Sequence, residues 1–346
     1  MKRDFKQNSW DQTIEDDLRQ LMHIAVSEDL GIAGDLTSNA LIPKGMLGRA
    51  SVYVRKPGVI SGLAALPICL ATVDPGLKWF SSCKDGQFVE AGTKLGEIVG
   101  PVLGIMTAER LILNLLGHLC GISTLTRKFV DRVEGTKARI YDTRKTTLGW
   151  RKLDKYAVHC GGGFNHRTGL YDAVLIKDNH LAFGALPGNV LDSDHSEDIA
   201  AKSEIADSGI FCMDHRTAAF SPAEAVRRAR SFLTQLLERQ KISGTSNLLP
   251  MNEIPIIEIE VDNLDHFEDV LAAKPDIILL DNMGPDSLLD AIKRRNMMES
   301  ETELEASGGI TLETVLQVAE TGVERISVGS LTHSNSSLDL GLDWEG

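Results

Sequence analysis

The chain has 346 residues, of which 42% are hydrophobic and 25% are charged. This composition is ordinary for a globular protein, and the length allows two domains or one barrel with an added module. The formal net charge of -13 argues against a general nucleic-acid binder, because phosphate contacts need clustered Lys and Arg.

The charge is unevenly spread along the chain. Residues 127–180 hold 12 Lys and Arg against 6 Asp and Glu, a local charge of +6. A basic stretch in an acidic chain suggests a pocket for a small anion. A solvated basic helix face would have the same composition, so charge alone does not decide between the two.

Cysteine usage and the first residues favour the cytoplasm. The five cysteines are scattered and form no CxxC pair, which is typical of reduced thiols. The residues after Met1 are polar and charged, unlike a signal peptide. We also expect no apolar run long enough to span a bilayer, and therefore no membrane partner.

The first third of the chain mixes helices and short strands. Residues 14–28 and 107–126 carry apolar side chains at helical spacing, which predicts two amphipathic helices. Residues 50–55 and 59–62 have the composition of short strands, and two Gly-containing turns bracket 87–90 as in a hairpin.

From about residue 138 strand-like and helical segments alternate. The predicted strands are 138–143, 173–177, 255–261, 276–281, 303–307 and 325–328, and the predicted helices are 153–161, 222–240, 264–273, 285–295 and 312–321. This alternation predicts βα units around a parallel sheet. Six units are too few for a complete eight-stranded barrel, which leaves an incomplete barrel or an open doubly wound sheet. The absence of GxGxxG after the first strand disfavours a dinucleotide-binding sheet.

One long connection interrupts this alternation. Residues 185–252 exceed the usual connection length and are rich in Asp, Ser, Ala and Arg, so we expect a surface insertion that contains a helix. Cys212, Asp214 and His215 lie within it. They lack a second ligand pair, which makes a zinc site a poor interpretation.

Polar, charged or glycine residues occur at the carboxyl end of all six predicted strands. In chain order they are Arg144 and Lys145, Lys177, Glu258 and Glu260, Asp281, Ser307 with Gly308 and Gly309, and Gly329. In α/β barrels the active site is built at this face and from these positions. Six such ends in register therefore predict a single polar cavity.

The late glycines and the acidic residues suggest separate roles. Gly308, Gly309 and Gly329 allow backbone amides to approach a phosphate, helped by a helix predicted to begin near Thr311. A carboxylate pair at the mouth of the barrel, Glu260 with Asp281, suits Mg²⁺ or a positive charge that develops on a sugar carbon. Glu258 and Glu260 share a strand face, so spacing does not choose between them.

Cationic residues complete the predicted site. Arg144 and Arg167 suit bidentate contacts with carboxylate or phosphate, whereas Lys145 and Lys177 act as point charges. Three consecutive glycines before the His166-Arg167 pair predict a tight loop that brings both side chains to one place.

Taken together, these residues resemble those of quinolinate phosphoribosyltransferase, also called nicotinate-nucleotide pyrophosphorylase (carboxylating). The matching stretches are 107–110, 114–118, 142–147, 161–167, 175–180, 258–262, 279–282, 307–310 and 328–334, with weaker similarity at 28–37. Each motif alone is weak, but their order along most of the chain is specific.

The resemblance implies an activity and a role for each residue. The reaction joins quinolinate and phosphoribosyl pyrophosphate to give nicotinate mononucleotide, pyrophosphate and CO₂ in NAD biosynthesis. The implied quinolinate-binding residues are Arg144, His166, Arg167, Lys177 and, from the partner subunit of a homodimer, Arg110. Lys145, Glu260 and Asp281 would be catalytic, with the two carboxylates holding Mg²⁺, and Ser307, Gly308, Gly309 and Gly329 would bind the 5′-phosphate.

The resemblance also implies a domain plan. An N-terminal α/β sandwich would occupy 1–125 and be joined by the tail 334–346, and an incomplete α/β barrel of six or seven strands would occupy 126–333. Three features depart from the family: Leu148 replaces a frequent Pro, Trp150 replaces a smaller apolar residue, and the insertion near 185–252 is longer than expected.

Two other functions fit the residues. One is an enzyme of the same fold that acts on another ring or anion, such as the molybdenum-associated relatives. The other is a non-catalytic phosphate-binding module, although a pure binder does not need both Glu260 and Asp281.

Overall fold

The computed structural model describes residues 3–184, 220–243 and 253–345. The strands in these residues are β1 (Leu47–Val54), β2 (Gly58–Val59), β3 (Lys78–Ser81), β4 (Phe88–Val89), β5 (Lys94–Pro101), β6 (Arg139–Tyr141), β7 (Ala173–Ile176), β8 (Ile256–Val261), β9 (Ile277–Asp281), β10 (Glu303–Ser307), β11 (Arg325–Ser327) and β12 (Leu340–Trp344). The helices are α1 (Gln12–Leu30), α2 (Leu36–Leu41), α3 (Leu66–Val73), α4 (Val102–Arg132), α5 (Arg151–Cys160), α6 (Asp178–Gly184), α7 (Pro222–Ser243), α8 (Phe267–Ala272), α9 (Pro285–Met297), α10 (Val315–Glu320) and α11 (Ser330–His333).

A four-stranded antiparallel sheet forms the N-terminal part, in the order β12-β1-β5-β3. The last strand, β12, comes from the end of the described chain and pairs along β1, with Ala50 opposite Trp344. Strands β2 and β4 form a separate two-stranded sheet. The chain tail therefore returns to the first sheet.

Helix α4 links the two parts of the fold. It continues across the predicted domain boundary at residues 125 and 126, so the proposed division remains a prediction. The returning tail crosses this helix closely: Leu338 donates its backbone N–H to the Gly117 carbonyl at 2.9 Å. A Cβ at Gly121 would overlap the backbone oxygen of Ser336.

Helix α4 corrects one expectation from the sequence. Its 31 residues are long and apolar enough to cross a membrane by length and composition, so the expectation of no such run was wrong. However, 56% of its most apolar stretch is buried inside the protein. Leu115, Leu116 and Leu119 are at most 2% exposed, as in a core helix.

The second part of the chain forms a six-stranded parallel sheet in the order β6-β11-β10-β9-β8-β7. The first strand of the series pairs with the last, while β6 and β7 are not neighbours. This arrangement is a barrel left open between β6 and β7, with the smaller of the two predicted strand numbers. An isolated parallel bridge between Tyr141 and Phe164 lies at the free edge of β6.

The strands of this sheet are apolar and buried, with charged residues at their ends or facing the barrel interior. Residues 256–259 and 277–280 are buried throughout, as expected for parallel strands covered on both faces. Glu258, Glu305 and Arg325 are fully buried within this layer. Such buried charges need partners, which explains the ionic network described below.

Three further features predicted from the sequence are the insertion, the reduced cysteines and the helix near Thr311. The predicted insertion 185–252 contains helix α7, while Cys212, Asp214 and His215 lie outside the described residues. The four described cysteines are free thiols. The predicted helix 312–321 begins later, at Val315, because Thr314 and Thr311 form a hydrogen-bonded turn before it.

Candidate active site

A cavity of about 950 Å³ lies at the carboxyl ends of the parallel strands. Eleven of the twelve predicted site residues line it: Arg144, Lys145, His166, Arg167, Lys177, Glu260, Asp281, Ser307, Gly308, Gly309 and Gly329. The parallel sheet brings them together because its strand ends meet at one edge. Residues up to 185 positions apart in the chain therefore share one cavity.

One wall of the cavity is cationic. The Nε atoms of Arg144 and Arg167 are buried and have no hydrogen-bond partner among the described residues. Arg167 is 6% exposed and donates from Nη1 to the Ala173 carbonyl at 3.0 Å. Burial and the nearby Arg144 charge lower the pKa of Arg167. Because an unpaired buried donor is costly, this wall is suited to an anionic ligand.

His166 lies beside this wall, and its ring nitrogens contact the Arg167 backbone and two buried glutamates. Its Nδ1 accepts the backbone N–H of Arg167 at 2.9 Å, and its Nε2 lies 2.9 Å from Glu258 and 3.6 Å from Glu305. The Nε2 approach is poorly aligned, since both Glu258 oxygens lack a hydrogen bond in the described residues. Burial opposes the imidazolium, but the two carboxylates outweigh it and raise the pKa of His166.

The two carboxylates behind His166 behave differently. Burial opposes ionisation of Glu258, yet His166, Arg325 and Arg167 lower its pKa. Burial and the Glu258 charge raise the pKa of Glu305, even though Arg325 donates from Nε to its carboxylate at 2.8 Å. Ionisation is therefore favoured at Glu258 over Glu305.

A buried ion pair fixes the backbone of the His166 loop. Asp142 accepts the His166 N–H at 2.8 Å, and Lys155 donates to the His166 carbonyl at 2.8 Å while it pairs with Asp142. Asp142 also accepts from the Asn165 amide at 2.7 Å. Both charged side chains are fully buried, and burial raises the pKa of Asp142. This clamp explains how the loop after the three glycines presents His166 and Arg167 to the cavity.

Another wall of the cavity carries carboxylates. Glu260 forms an ion pair with Lys177, and Asp281 accepts a 2.7 Å hydrogen bond from the Asn282 side chain. Glu260 lines the cavity, whereas Glu258 is buried below it. The structure thus separates two glutamates that sequence spacing left equivalent.

The loop after β10 forms the end of the cavity predicted to bind phosphate. Gly308 and Gly309 have φ angles of +95° and +60°, which favour glycine. A Cβ at Gly308 would overlap the Asn282 side chain. The helix dipole expected near Thr311 is absent, because α10 starts at Val315 and has only six residues. The Ser307 hydroxyl and the backbone amides of Gly308 and Gly309 are the donors that this loop offers.

Lys145 lies beside Gly329 in the cavity lining. Its side chain is exposed and forms no ion pair with a described residue, while its carbonyl accepts from the Thr332 hydroxyl at 2.7 Å. Gly329 allows this approach: a Cβ there would lie 3.2 Å from both Lys145 Cδ and His333 Nε2. Lys145 is therefore free to contact a ligand.

Arg110 is the predicted site residue that lies elsewhere. It is exposed on α4 and lies outside the cavity lining. On the same helix, His118 contacts Asp154 at 2.7 Å, and Asp154 accepts the Thr147 N–H at 3.1 Å. These bonds tie α4 to the loop that carries Arg144 and Lys145.

Two of the three departures from the family, Leu148 and Trp150, lie in that loop. Leu148 is 89% exposed, and Trp150 packs edge-on against the His118 ring at 5.0 Å between centroids. Trp150 therefore helps to join the loop to α4, while nothing in the described residues explains Leu148.

Within the described residues, one group of three potential metal ligands lies within 4.8 Å: His166, Glu258 and Glu305. This group differs from the predicted Glu260–Asp281 pair. Arg325 and Arg167 already compensate its charge, and an imidazole is a poor ligand for Mg²⁺. We therefore assign it to the support of the cavity wall.

Sequence reasoning missed three contributors to the site. Asn282 directly follows Asp281, and His333 lies in the motif stretch 328–334 with Gly329, so their place in these motifs was an available signal. Phe5, which packs against His166 with 4.4 Å between ring centroids, had no such signal. Its partner lies 161 positions away.

Comparison with known proteins gives a consistent result along the chain. The description "Quinolinate phosphoribosyl transferase, C-terminal domain" matches residues 122–195 and 240–343, and the corresponding N-terminal domain matches 35–120. A nicotinate-nucleotide pyrophosphorylase [carboxylating] of Mycobacterium leprae is 37% identical over 95% of this chain and 97% of its own length. A probable enzyme of that name from Bacillus subtilis is 32% identical over 94% and 93%.

A solved structure agrees with these sequence relatives. The nicotinate-nucleotide pyrophosphorylase of Francisella tularensis superposes with a TM-score of 0.75 at 30% identity and covers 99% of this chain and 100% of its own. Both the N-terminal and the C-terminal part of the chain therefore match quinolinate phosphoribosyltransferases. The chain belongs to the quinolinate phosphoribosyltransferase family, a family of decarboxylating pentosyltransferases.

Proposed function

We propose that this enzyme transfers the phosphoribosyl group of phosphoribosyl pyrophosphate to quinolinate, with loss of CO₂, to give nicotinate mononucleotide and pyrophosphate. The observation that carries the proposal is the pair of guanidinium groups of Arg144 and Arg167, whose buried Nε donors are unpaired in the described residues. A pyridine dicarboxylate supplies two anionic groups to such a wall.

The quinolinate carboxylates contact the cationic wall. Arg144 and Arg167 each offer a planar fork that matches a carboxylate. His166 lines the same part of the cavity; its Nδ1 accepts the Arg167 N–H and its Nε2 faces Glu258, so it orients Arg167 toward the carboxylates. Lys177 reaches the same space from β7, held by Glu260. These residues set the orientation of the ring nitrogen.

The phosphoribosyl pyrophosphate occupies the other end. The Ser307 hydroxyl and the backbone amides of Gly308 and Gly309 are suited to the 5′-phosphate, and Gly329 leaves room beside Lys145. Lys145 then lies between the phosphate end and the cationic wall, where its charge meets the pyrophosphate and the reacting carbon.

Glu260 and Asp281 would hold Mg²⁺. Both residues lie at the carboxyl ends of neighbouring strands, Glu260 in β8 and Asp281 in β9, and both line the cavity. Their oxygens, together with pyrophosphate oxygens, suit this ion. When bound, Mg²⁺ neutralises charge on the pyrophosphate leaving group.

The chemistry follows from these positions. The ring nitrogen forms a bond to the ribose anomeric carbon as the bond from that carbon to pyrophosphate breaks. Positive charge develops on the ribose, and Glu260 and Asp281 stabilise it. The carboxyl group next to the nitrogen then leaves as CO₂, and its electron pair remains on the ring carbon, which takes up a proton. The ring cation and Lys145 stabilise that carbanion.

The proposed active form is a cytoplasmic homodimer. Arg110 is exposed and outside the cavity of its own chain. In the proposed dimer it enters the partner's cavity and adds a further positive charge to the quinolinate side.

The direct test is release of ¹⁴CO₂ from carboxyl-labelled quinolinate. With phosphoribosyl pyrophosphate and Mg²⁺, the protein is expected to release label and to form nicotinate mononucleotide in equal amounts. Omission of either substrate, chelation of the metal, or the Lys145→Ala substitution serves as a control and is expected to suppress release. Folded protein that releases no label under saturating conditions would contradict the proposal.

A further inference from the structure

The segment 3–8, which precedes α1, lies at the opposite end of the parallel sheet from the cavity. The Asp4 carboxylate accepts hydrogen bonds from Arg139 at 2.9 Å, Tyr141 at 2.7 Å and Arg325 at 2.9 Å. Arg139 and Arg325 are the first residues of β6 and β11. Asp4 therefore anchors the segment to the amino ends of the strands next to the open side of the barrel.

From this anchor the segment reaches the residues behind the cavity. Phe5 is 6% exposed, and its ring packs on the His166 imidazole with 4.4 Å between centroids and 33° between planes. Arg325 lies 5.0 Å from the same Phe5 ring. Phe5 thus fills the space beneath one of the residues that line the cavity.

The same segment also holds the backbone before His166. The Gln7 side chain accepts the Asn165 N–H at 2.7 Å and donates to the Asn165 carbonyl at 3.3 Å. The Asn8 N–H donates to the Asn165 side chain at 2.7 Å. The His166 ring and the Asn165 backbone are therefore both in contact with the segment 3–8.

These contacts act on one side of the cavity. His166 and Arg167 are consecutive, and the Arg167 N–H bonds the His166 ring, so a tilt of the imidazole disturbs both side chains. Among the described residues, the segment forms no hydrogen bond, ion pair or ring contact with Lys177, Asp281 or the glycine loop. A change in the segment is therefore expected to affect the binding of one substrate and not the other.

We infer that Phe5, together with Gln7, positions His166 and Arg167 for the ring dicarboxylate, so that the segment 3–8 sets the affinity for this substrate. The inference rests on the proposed function and deepens it. Phe5 is a positioning residue, since it acts through His166 and does not line the cavity itself.

The test is a comparison of Michaelis constants in Phe5→Ala. Loss of an aromatic contact beneath the imidazole is expected to raise the KM for quinolinate about tenfold. The KM for phosphoribosyl pyrophosphate is expected to change less than about twofold, because no segment contact reaches that end. Phe5→Leu keeps apolar volume beneath the ring and is expected to recover most of the affinity.

Leu288→Ala is the matched control. Leu288 is fully buried in α9, away from the cavity lining, so its truncation lowers the thermal midpoint with both KM values unchanged. A folded Phe5→Ala with unchanged quinolinate KM, or with both KM values raised equally, would overturn the inference.

A second measurement needs no substrate. In the ligand-free protein, the His166 ring resonances are expected to shift in Phe5→Ala and to stay fixed in Leu288→Ala. Unshifted resonances would also overturn the inference. Failure of the proposed function would appear separately, as an inactive wild type whose His166 resonances still respond to Phe5→Ala.

Discussion

The cations in and behind the cavity are of two kinds, those paired within the protein and those with an unpaired donor. Lys177 is paired with Glu260, and Lys155 with Asp142, so these cations are neutralised within the protein. Arg144 and Arg167 have unpaired buried donors in the described residues. Their charge is left to a ligand, which explains how a chain with a net charge of -13 binds anions.

His166 gives a prediction at this scale, because its pKa is raised above the ordinary value of 6.5 by Glu258 and Glu305. A raised histidine pKa stabilises the fold fully below the unfolded value, and this contribution is lost as pH rises through the folded pKa. The difference in unfolding free energy between wild type and His166→Gln should therefore shrink as pH rises from about 6 to about 9. Urea unfolding at several pH values measures it, and a difference that grows with pH would refute the assignment.

The loop after β10 is the element that combines backbone conformation with side-chain packing. Its two glycines both have positive φ, but their surroundings differ. A Cβ at Gly308 would overlap Asn282, which holds Asp281, whereas a Cβ at Gly309 would meet nothing within 4 Å. The loop therefore links the proposed phosphate site to the carboxylate wall through Gly308 alone.

A pair of alanine substitutions tests this difference. Gly309→Ala is expected to cost about 1–2 kcal/mol of stability from backbone strain alone. Gly308→Ala has similar strain and also displaces Asn282, so it should raise the KM for phosphoribosyl pyrophosphate by at least about tenfold more than Gly309→Ala. Steady-state kinetics and thermal melting separate the two effects. Equal KM values in the two variants would show that the Asn282 contact has no role.

At the scale of the whole molecule, the proposed site requires two chains. Lys145 lines the cavity, whereas Arg110 is exposed on α4 and outside it. If Arg110 serves the partner's cavity, each site of the dimer combines residues of both subunits. Defects in the two residues should then complement each other.

Mixed dimers test this arrangement. Arg110→Ala and Lys145→Ala are each expected to be almost inactive alone. After unfolding and refolding as an equal mixture, half of the dimers contain one of each chain and one intact site, so about a quarter of wild-type activity should return. Co-refolding each variant with itself is the control. A mixture that stays inactive while dimers form would place Arg110 outside the partner's site.

The sequence by itself determined the elements and the contents of the cavity. Helical periodicity located α4 and α9. Six strands ending in charged or glycine residues named nine residues of one cavity, because parallel strand ends share an edge, and the loop after three glycines added His166 and Arg167. Ordered motifs along the chain then identified the family. These properties are local or repeat at a fixed period, so they are readable without coordinates.

Only the tertiary structure decided which charges are paired and what supports the site. It placed Glu260 at the cavity and Glu258 beneath His166, although both share one strand face. It also shortened the helix predicted near Thr311 and brought Phe5 under His166. These outcomes depend on contacts between residues far apart in the chain. Their energies come from burial and neighbouring charge, which no local pattern contains.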